Sequence, residues 1–267
     1  MMTFHILTIS NDLDQYAAMR ASFLAAGFDD ARCRFSLLDN SRANAHEPYE
    51  AINAALADAA EPYLIFCHQD VRADLGHGFD QLTGVLGELT RADPRWAVAG
   101  NAGGTTNRLF YHLVDPNGDH RAGPLPQRVF SLDENFMVVR GDAGVRCSTS
   151  LASFHFYGVD LCLNAMLAGR SAYVVDFRLT HLSRGDSDGA DFQRRLGEVQ
   201  ARWSPSFPLC IIKTACCDLP LSRFAPVRAA LRNPRLRRWV IRAMPKSMRV
   251  EAIAERLARG MAVPVDR

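Results

Sequence analysis

Two side chains that can bind a metal stand at the end of an apolar run in this chain. His68 and Asp70 are separated by a single residue. In an extended chain, residues two positions apart point to the same side, so the imidazole and the carboxylate would lie together. Such a pair can share one divalent cation. The pattern predicts a metal site, and the alternative interpretation is a strand that ends in a capped turn.

The apolar run at 63–67 predicts the strand that would position this pair. A short apolar segment of this kind is typical of a buried strand in a parallel sheet. In open α/β sheets, ligands bind at the carboxyl ends of the strands, which is where His68 and Asp70 fall. The pair therefore has a predicted location that suits a ligand.

Strand patterns alternate with helix patterns along much of the chain. We predict strands at 5–9, 33–38, 63–67, 96–100, 129–140 and 173–175, and helices near 14–26, 49–56, 75–89, 154–169 and 192–203. The alternation predicts an α/β fold with a doubly wound, mostly parallel sheet and helices on both faces. The segment 101–128, which is rich in glycine and proline, is predicted as loop or hairpin.

The composition predicts a protein with a substantial core, since 48% of the 267 residues are hydrophobic. No apolar run approaches the roughly 18–20 residues of a membrane-spanning helix. The chain starts with a strand pattern and has no basic leader, so we expect a cytoplasmic protein. Seven cysteines include no C-x-x-C pair. We expect buried thiols, with a redox pair at Cys216 and Cys217 as the alternative.

Charge is distributed unevenly, although the net charge is only +2. Residues 219–267 contain 12 Lys and Arg but only 3 Asp and Glu, which leaves 19 basic and 26 acidic residues in 1–218. An asymmetry of this kind is typical of a basic tail with an anionic partner. We therefore predict a main domain over 1–218 and a basic helical extension over 219–267.

Three motifs, taken in order, resemble the family 2 nucleotide-sugar glycosyltransferases, which have the GT-A fold. They are Leu-Asp-Asn at 38–40, His-Gln-Asp at 68–70, and the aromatic run 154–163 followed by Ala168-Gly169 and then His181. The resemblance covers roughly residues 4–205. It implies a GT-A-like catalytic domain that transfers a sugar from a nucleoside-diphosphate donor to a cell-surface glycan or lipid-linked acceptor, with inversion.

The resemblance also implies which residues bind the nucleotide. Asp39 matches the acid that ends the second strand and contacts the base or ribose, and Asn40 follows it. Ser10 and Asn11, after the first strand, would line the same pocket. The alternative role for Asp39 is that of a turn former.

The metal motif of that family is Asp-x-Asp, and Asp70 matches its second acid. His68 replaces the first acid, and His181 matches a late histidine that can complete the metal site. Because imidazole suits transition metals, we expect Mn²⁺ to serve at least as well as Mg²⁺. The alternative role for His181 is structural.

The position of the usual catalytic base in that family is occupied here by Gly158. Asp160 is the nearest carboxylate and is the predicted base, with a first-turn carboxylate favoured by the helix dipole as the alternative. This departure favours a second hypothesis, a catalytically impaired binding or scaffold domain. Nucleotidyl transfer ranks last, because residues 8–20 include no glycine-rich basic loop.

The basic extension has three possible partners. It could bind anionic lipid headgroups while Trp239, Val240 and Met244 enter the interface, it could bind nucleic acid, or it could pack on the acidic body. Nucleic acid is disfavoured because no recognition motif is present. Enzymes of this kind with lipid-linked acceptors commonly work at membranes, so we favour a peripheral position at the inner face of the cell membrane.

Overall fold

The computed structural model describes residues 3–183 and 189–259, so 260–267 of the predicted extension lie outside the described residues. The strands are β1 (Phe4–Ser10), β2 (Cys33–Asp39), β3 (Tyr63–Cys67), β4 (Val71–Arg72), β5 (Trp96–Gly100), β6 (Ala102–Gly104), β7 (Leu109–Asp115), β8 (Gly118–Ala122), β9 (Gln127–Val129), β10 (Ser131–Leu132), β11 (Phe136–Arg140), β12 (Ser171–Val174), β13 (Leu179–His181), β14 (Cys210–Lys213) and β15 (Asp218–Leu221). The helices are α1 (Leu13–Ala25), α2 (Pro48–Ala57), α3 (Phe79–Ala92), α4 (Tyr157–Leu167), α5 (Ala190–Trp203), α6 (Ala225–Leu231), α7 (Pro234–Ala243) and α8 (Val250–Ala258).

The largest sheet has seven strands in the order β2-β1-β3-β11-β5-β12-β9. The pairs β1–β2, β1–β3 and β5–β12 are parallel, whereas β11 is antiparallel to both of its neighbours and β9 is antiparallel to β12. The sheet is therefore mixed and differs from the predicted mostly parallel one. Strand direction was not readable from the sequence, because β11 is buried almost throughout and has the continuous apolar pattern of a parallel strand.

Helices cover both faces of this sheet, as the sequence predicts. On one face, α1 and α3 contribute Phe23, Leu82 and Leu86 to a core with Phe4 and Phe136. On the other face, apolar side chains of α2, α4, α5 and α8 form a second core. The helix α3 buries one stripe, as expected of a 3.6-residue period against a sheet, whereas α4 is buried on nearly all sides.

A second sheet has the order β10-β6-β7-β13-β4, with β8 beside β7. Three of its strands, β6, β7 and β8, lie where the sequence predicts loop or hairpin at 101–128. Glycine permits its close packing. A Cβ at Gly104 would lie 2.1 Å from the carbonyl oxygen of Lys213 on β14, and one at Gly103 would lie 2.3 Å from that of Ser131. The β14–β15 hairpin therefore rests directly on the backbone of β6.

The predicted boundary at 218/219 falls inside this hairpin, because β15 begins at Asp218. The division into two parts stays a prediction. Arg237 of α7 lies 3.0 Å from Asp218, and the side chain of Glu251 on α8 accepts hydrogen bonds from the backbone and hydroxyl of Thr106. The basic segment is thus bonded to the rest of the molecule through α7 and α8 as well as through the strand pairing of β15.

Within the described residues, no helix has the length and apolar character required to cross a bilayer. Five of the seven cysteines are buried, Cys217 is partly buried and Cys216 is exposed. All seven are free thiols. The expectation of buried thiols therefore holds for five of them.

Candidate functional site

His68, Asp70 and His181, here called the cation cluster, are brought together by strand pairing. His68 follows β3, Asp70 precedes β4 and His181 ends β13. The strands β4 and β13 are antiparallel, with Val71 opposite His181, and the backbone N–H of Leu182 donates to the carbonyl of Asp70 at 3.0 Å. This register places a histidine that is more than 100 residues away beside the predicted pair.

The cation cluster fits a divalent cation. One ligand atom from each residue lies within 4.8 Å of the other two, and among residues 3–183 and 189–259 no other group of three His, Cys, Asp or Glu side chains does so. Nε2 of His181 is buried, lies 3.4 Å from Oδ1 of Asp70, and has no hydrogen-bond partner of normal geometry in the described part of the chain. Two imidazoles with one carboxylate favour a transition metal over Mg²⁺.

The electrostatics of the cation cluster suit a ligand role for two of its members. Burial, followed by the neighbouring His181, holds the pKa of His68 below its usual value. Burial raises the pKa of Asp70, but its contact with His181 outweighs this and the net pKa is lowered. Burial lowers the pKa of His181, and Asp70 reverses this to a net rise. A neutral imidazole and an ionised carboxylate are the forms that bind a metal, and at His181 a proton would compete with the cation.

Tyr157, the first residue of α4, orients His68. Its hydroxyl lies 2.9 Å from Nε2 of His68 and 3.4 Å from the carbonyl oxygen of Glu134, to which it can donate. The tyrosine ring is buried in edge contact with Phe66 and Tyr49. Such a partner fixes the imidazole plane. This contact could not be predicted from the sequence, because 89 residues separate the two side chains.

Gln69, which lies between His68 and Asp70, is hydrogen-bonded to the loop that is predicted to bind the nucleotide. Its Oε1 accepts hydrogen bonds from the hydroxyl of Ser10 and from the backbone N–H groups of Asn11 and Asp12, the latter two at 3.0 Å. Its Nε2 donates to Oδ1 of Asn11 at 2.7 Å. Ser10 and Asn11 are therefore held beside the 68–70 segment, and the middle residue of the motif is the one that links the two loops.

An open cleft of about 360 Å³ is lined by four of the eight predicted site residues. It is lined by Ile9, Asn11, Asn40, Asn44, His68, Gln69, Asp70 and Phe154. Its lining includes two predicted nucleotide residues and two members of the cation cluster. It lies after β1, β2 and β3, at the carboxyl ends of three parallel strands, as expected for a ligand site in an α/β sheet.

Two of the predicted nucleotide residues are not among those that line this cleft. Asp39 is exposed and accepts a hydrogen bond from the backbone of Ser41 at 2.8 Å. The hydroxyl of Ser41, followed by this backbone bond, lowers the pKa of Asp39. Ser10 is buried and bonded to Gln69. Asn40 lines the cleft, but its amide is also bonded to the backbone of His46. The nucleotide-binding roles of these residues stay predictions.

Asp160, the predicted base, is 0% exposed. Its carboxylate accepts hydrogen bonds from the backbone and hydroxyl of Ser148, both at 2.7 Å, from Nε1 of Trp203 at 2.8 Å and from Nδ2 of Asn164 at 3.1 Å. Burial raises its pKa. These contacts describe a structural carboxylate that joins α4 to α5, so the catalytic role of Asp160 stays a prediction that the geometry does not favour.

A different carboxylate lies at the start of α4. Oε1 of Glu134 accepts a hydrogen bond from the backbone N–H of Gly158 at 3.1 Å. A Cβ at Gly158 would lie 2.4 Å from the carbonyl of Leu132 and 3.2 Å from Cγ of Glu134. Sequence analysis did not find Glu134, because it lies inside a segment with a strand pattern and its position depends on the approach of α4.

Comparisons with known proteins give one relative and several weak structural likenesses. No family model matches the chain. The protein named "ATP synthase subunits region ORF 6" from Fuscovulum blasticum is 34% identical over 215 residues, which is 78% of this chain and 86% of that protein.

The structural likenesses have low scores. TarS 1–349 of S. aureus in complex with UDP has a TM-score of 0.45 and 13% identity, and the match covers 75% of this chain and 65% of that chain. A197 from STIV has a TM-score of 0.43 and 12% identity, over 67% of this chain and 85% of that chain. Scores of this size carry no argument about function.

The fold and the site define a mixed α/β protein with a candidate cation site in a cleft beside the ends of three parallel strands. The chain belongs to the same family as the ATP synthase subunits region ORF 6 protein of Fuscovulum blasticum. The name of that relative states no activity.

Proposed function

We propose that this protein is a metal-dependent glycosyltransferase with a GT-A-like fold that uses a nucleoside-diphosphate sugar. The observation that carries the proposal is one cleft that combines amide side chains with two members of the cation cluster. These residues are Asn11, Asn40, His68 and Asp70. A nucleoside diphosphate needs both kinds of group, hydrogen-bonding partners for its base and ribose and a positive charge for its phosphates.

The residues of the cleft have distinct tasks in this proposal. His68, Asp70 and His181 would hold the cation, with the His68 ring fixed by Tyr157. When bound, the cation offsets the negative charge that grows on the leaving diphosphate. Gln69 keeps the loop of Asn11 next to the cluster, so the nucleotide and its phosphates are aligned for transfer. Direct displacement by an acceptor hydroxyl inverts the anomeric centre.

Titration calorimetry with UDP, GDP and dTDP, with and without Mn²⁺, tests the proposal. We expect one of the three to bind, and to bind more tightly with Mn²⁺ present. Hydrolysis of the corresponding nucleotide sugars should follow the same order. If none of the three binds under either condition, the proposal is wrong.

A second candidate is a binding domain without turnover, acting on a nucleotide or glycan. The observations that favour it are the absence of a side chain at Gly158 and the burial of Asp160. The two candidates differ in one result. A binding domain takes up the nucleotide sugar and leaves it intact, whereas the transferase releases sugar slowly to water.

The proposed acceptor is a glycan or a lipid-linked saccharide, and an anionic membrane on the cytoplasmic side is the proposed location. The support comes from α7, where Trp239 is 65% exposed and Leu236 is 38% exposed among exposed arginines such as Arg238 and Arg242. Exposed apolar side chains flanked by basic groups are typical of helices that lie in a membrane interface.

A further inference from the structure

A small cavity of about 40 Å³ lies at the start of α4, apart from the cleft of the cation cluster. It is lined by Leu132, Asp133, Glu134, His155, Phe156, Val159, Phe192, Thr214, Ala215 and Cys216. Its volume is close to that of a single water molecule in the liquid, about 30 Å³. The space therefore admits one hydroxyl group or one water molecule next to Glu134.

The carboxylate of Glu134 is held in place by the helix. One of its oxygens accepts from the backbone N–H of Gly158 at the first turn of α4, where the helix dipole favours a negative charge. The backbone N–H groups of Phe156 and Tyr157 also act on this carboxylate. A carboxylate has about four lone-pair positions, so these three N–H groups leave about one to accept the proton of a hydroxyl. Glu134 keeps a minor part of its surface exposed, whereas Asp160 has none exposed.

Gly158 makes this arrangement possible. A side chain at position 158 would collide with the carbonyl of Leu132 and crowd Cγ of Glu134. With glycine at position 158, the helix has no carboxylate at this point. The space is occupied instead by the carboxylate of Glu134, which belongs to the turn between β10 and β11.

Glu134 is also connected to the cation cluster. The hydroxyl of Tyr157 bridges Nε2 of His68 and the carbonyl oxygen of Glu134, and the backbone N–H of His68 donates to the carbonyl of the adjacent Asn135 at 3.0 Å. The negative charge of Asp133 acts on both His68 and Glu134, as expected for groups in one region. The backbone at 134–135 is thus joined to the cation cluster, while the cavity that Glu134 lines and the cleft of the cation cluster have separate lining residues.

We infer that Glu134 is the general base of this protein. It would replace the carboxylate that the resembled family has at the position of Gly158. The inference rests on the proposed function. The Glu134 carboxylate takes the proton of the acceptor hydroxyl while the acceptor oxygen forms a bond to the anomeric carbon. The bond from that carbon to the diphosphate oxygen breaks, and the diphosphate leaves with the electron pair. Glu134 ends the step as a neutral carboxylic acid.

The environment of Glu134 gives it a proton affinity suited to this task. Burial raises its pKa to about 8, and the N–H of Gly158 opposes this rise. The ionisable groups around it are Asp133 in its own turn, Tyr157 and His155 on the α4 side, Tyr49 of α2, Cys147, and Cys216 with Cys217 in the β14–β15 turn. Burial raises the pKa of the tyrosines and thiols among them.

Glu134→Gln tests the inference, with Glu47→Gln as the matched control. Glu47 also accepts backbone N–H bonds at a helix start, that of α2, but the cavity beside Glu134 is not lined by it. Hydrolysis of the preferred nucleotide sugar in Mn²⁺ gives kcat without an identified acceptor, and calorimetry gives nucleotide affinity. We expect Glu134→Gln to lower kcat by about 10²–10⁴-fold with nucleotide affinity unchanged, and Glu47→Gln to preserve both.

The pH profile of the wild type provides a second measurement that needs no variant. Because the base is active only when ionised, kcat should rise with pH and level off above about pH 8. A flat profile through this range, or a Glu134→Gln variant with wild-type kcat, overturns the assignment and leaves the proposed function standing. If the wild type binds no nucleotide and releases no sugar, the proposed function fails and the assignment fails with it.

Discussion

At the scale of single residues, the cation cluster can be tested through its affinity for Mn²⁺, without a measurement of turnover. Asp70→Asn removes the one carboxylate of the cluster, and we expect Mn²⁺ affinity to fall by more than about tenfold, as measured by calorimetry or by the electron-spin signal of free Mn²⁺. The matched control is Asp176→Asn. Asp176 lies 2.7 Å from His112, in a histidine–aspartate pair outside the cluster. Equal Mn²⁺ affinity in the two variants would contradict the site.

The buried position of Asp160 predicts that its substitution lowers the free energy of unfolding. Asp160→Asn turns an amide donor toward groups that already donate, among them Ser148 and Trp203. Unsatisfied buried donors are costly, so we expect the free energy of unfolding to fall by about 2–4 kcal/mol, measured by urea denaturation. The exposed Asp176→Asn change should stay within about 0.5 kcal/mol of the wild type. A fully stable but inactive Asp160→Asn variant would instead restore Asp160 as the base.

The sequence could indicate His68 and Asp70 because their spacing is local and because a strand precedes them. It could not separate Asp160 from Glu134. Both are carboxylates near the start of α4, and the difference between them lies in which is covered by Trp203 and which lies beside Gly158. Such contacts depend on the packing of distant elements, which a residue pattern does not specify.

At the scale of elements, β6 packs so closely against the β14–β15 hairpin that position 104 has no space for a side chain. Gly104→Ala would place a Cβ 2.1 Å from the carbonyl oxygen of Lys213, so the hairpin must move. We expect a loss of about 1–3 kcal/mol in the free energy of unfolding. The control, Gly87→Ala in α3, has no atom within 4 Å of the added Cβ and should be stabilising by about 0.5–1 kcal/mol. Urea denaturation of both variants checks the difference, and a neutral Gly104→Ala would show that β14 does not rest on β6.

The elements themselves were largely predictable, because strands such as β3 and helices such as α3 have clear periodicity. Their directions and partners were not. The antiparallel β11 has the same apolar pattern as its parallel neighbours, and the pairing of β4 with β13 joins segments that are too short to show a period. That pairing supplies His181, so the third member of the cation cluster is established by topology.

At the scale of the whole molecule, the uneven charge and the exposed face of α7 predict binding to anionic vesicles. Each Lys or Arg near such a surface contributes about 1 kcal/mol, and salt screens this attraction. We expect the protein to float with vesicles of anionic phospholipid at low salt, and to remain with the soluble fraction when the vesicles are neutral. Exchange of Arg238 and Arg242 for Glu should abolish flotation.

Arg91→Glu, an exposed change in the last turn of α3, is the control for that experiment and should leave flotation intact. Equal flotation of the wild type and the α7 variant would show that the basic extension does not bind lipid. The flotation experiment does not test the cation cluster, so the proposed membrane location and the proposed reaction are tested independently.

The exposure of Cys216 has a practical consequence. Cys216 is the one exposed residue among the seven cysteines, although its sulfur is partly covered, and it lines the cavity that Glu134 also lines. A maleimide fluorophore or a nitroxide spin label can therefore be attached there without an engineered cysteine, although burial raises the thiol pKa to about 12 and slows the coupling. With paramagnetic Mn²⁺ added, the label would measure the distance between the proposed cation site and this cavity.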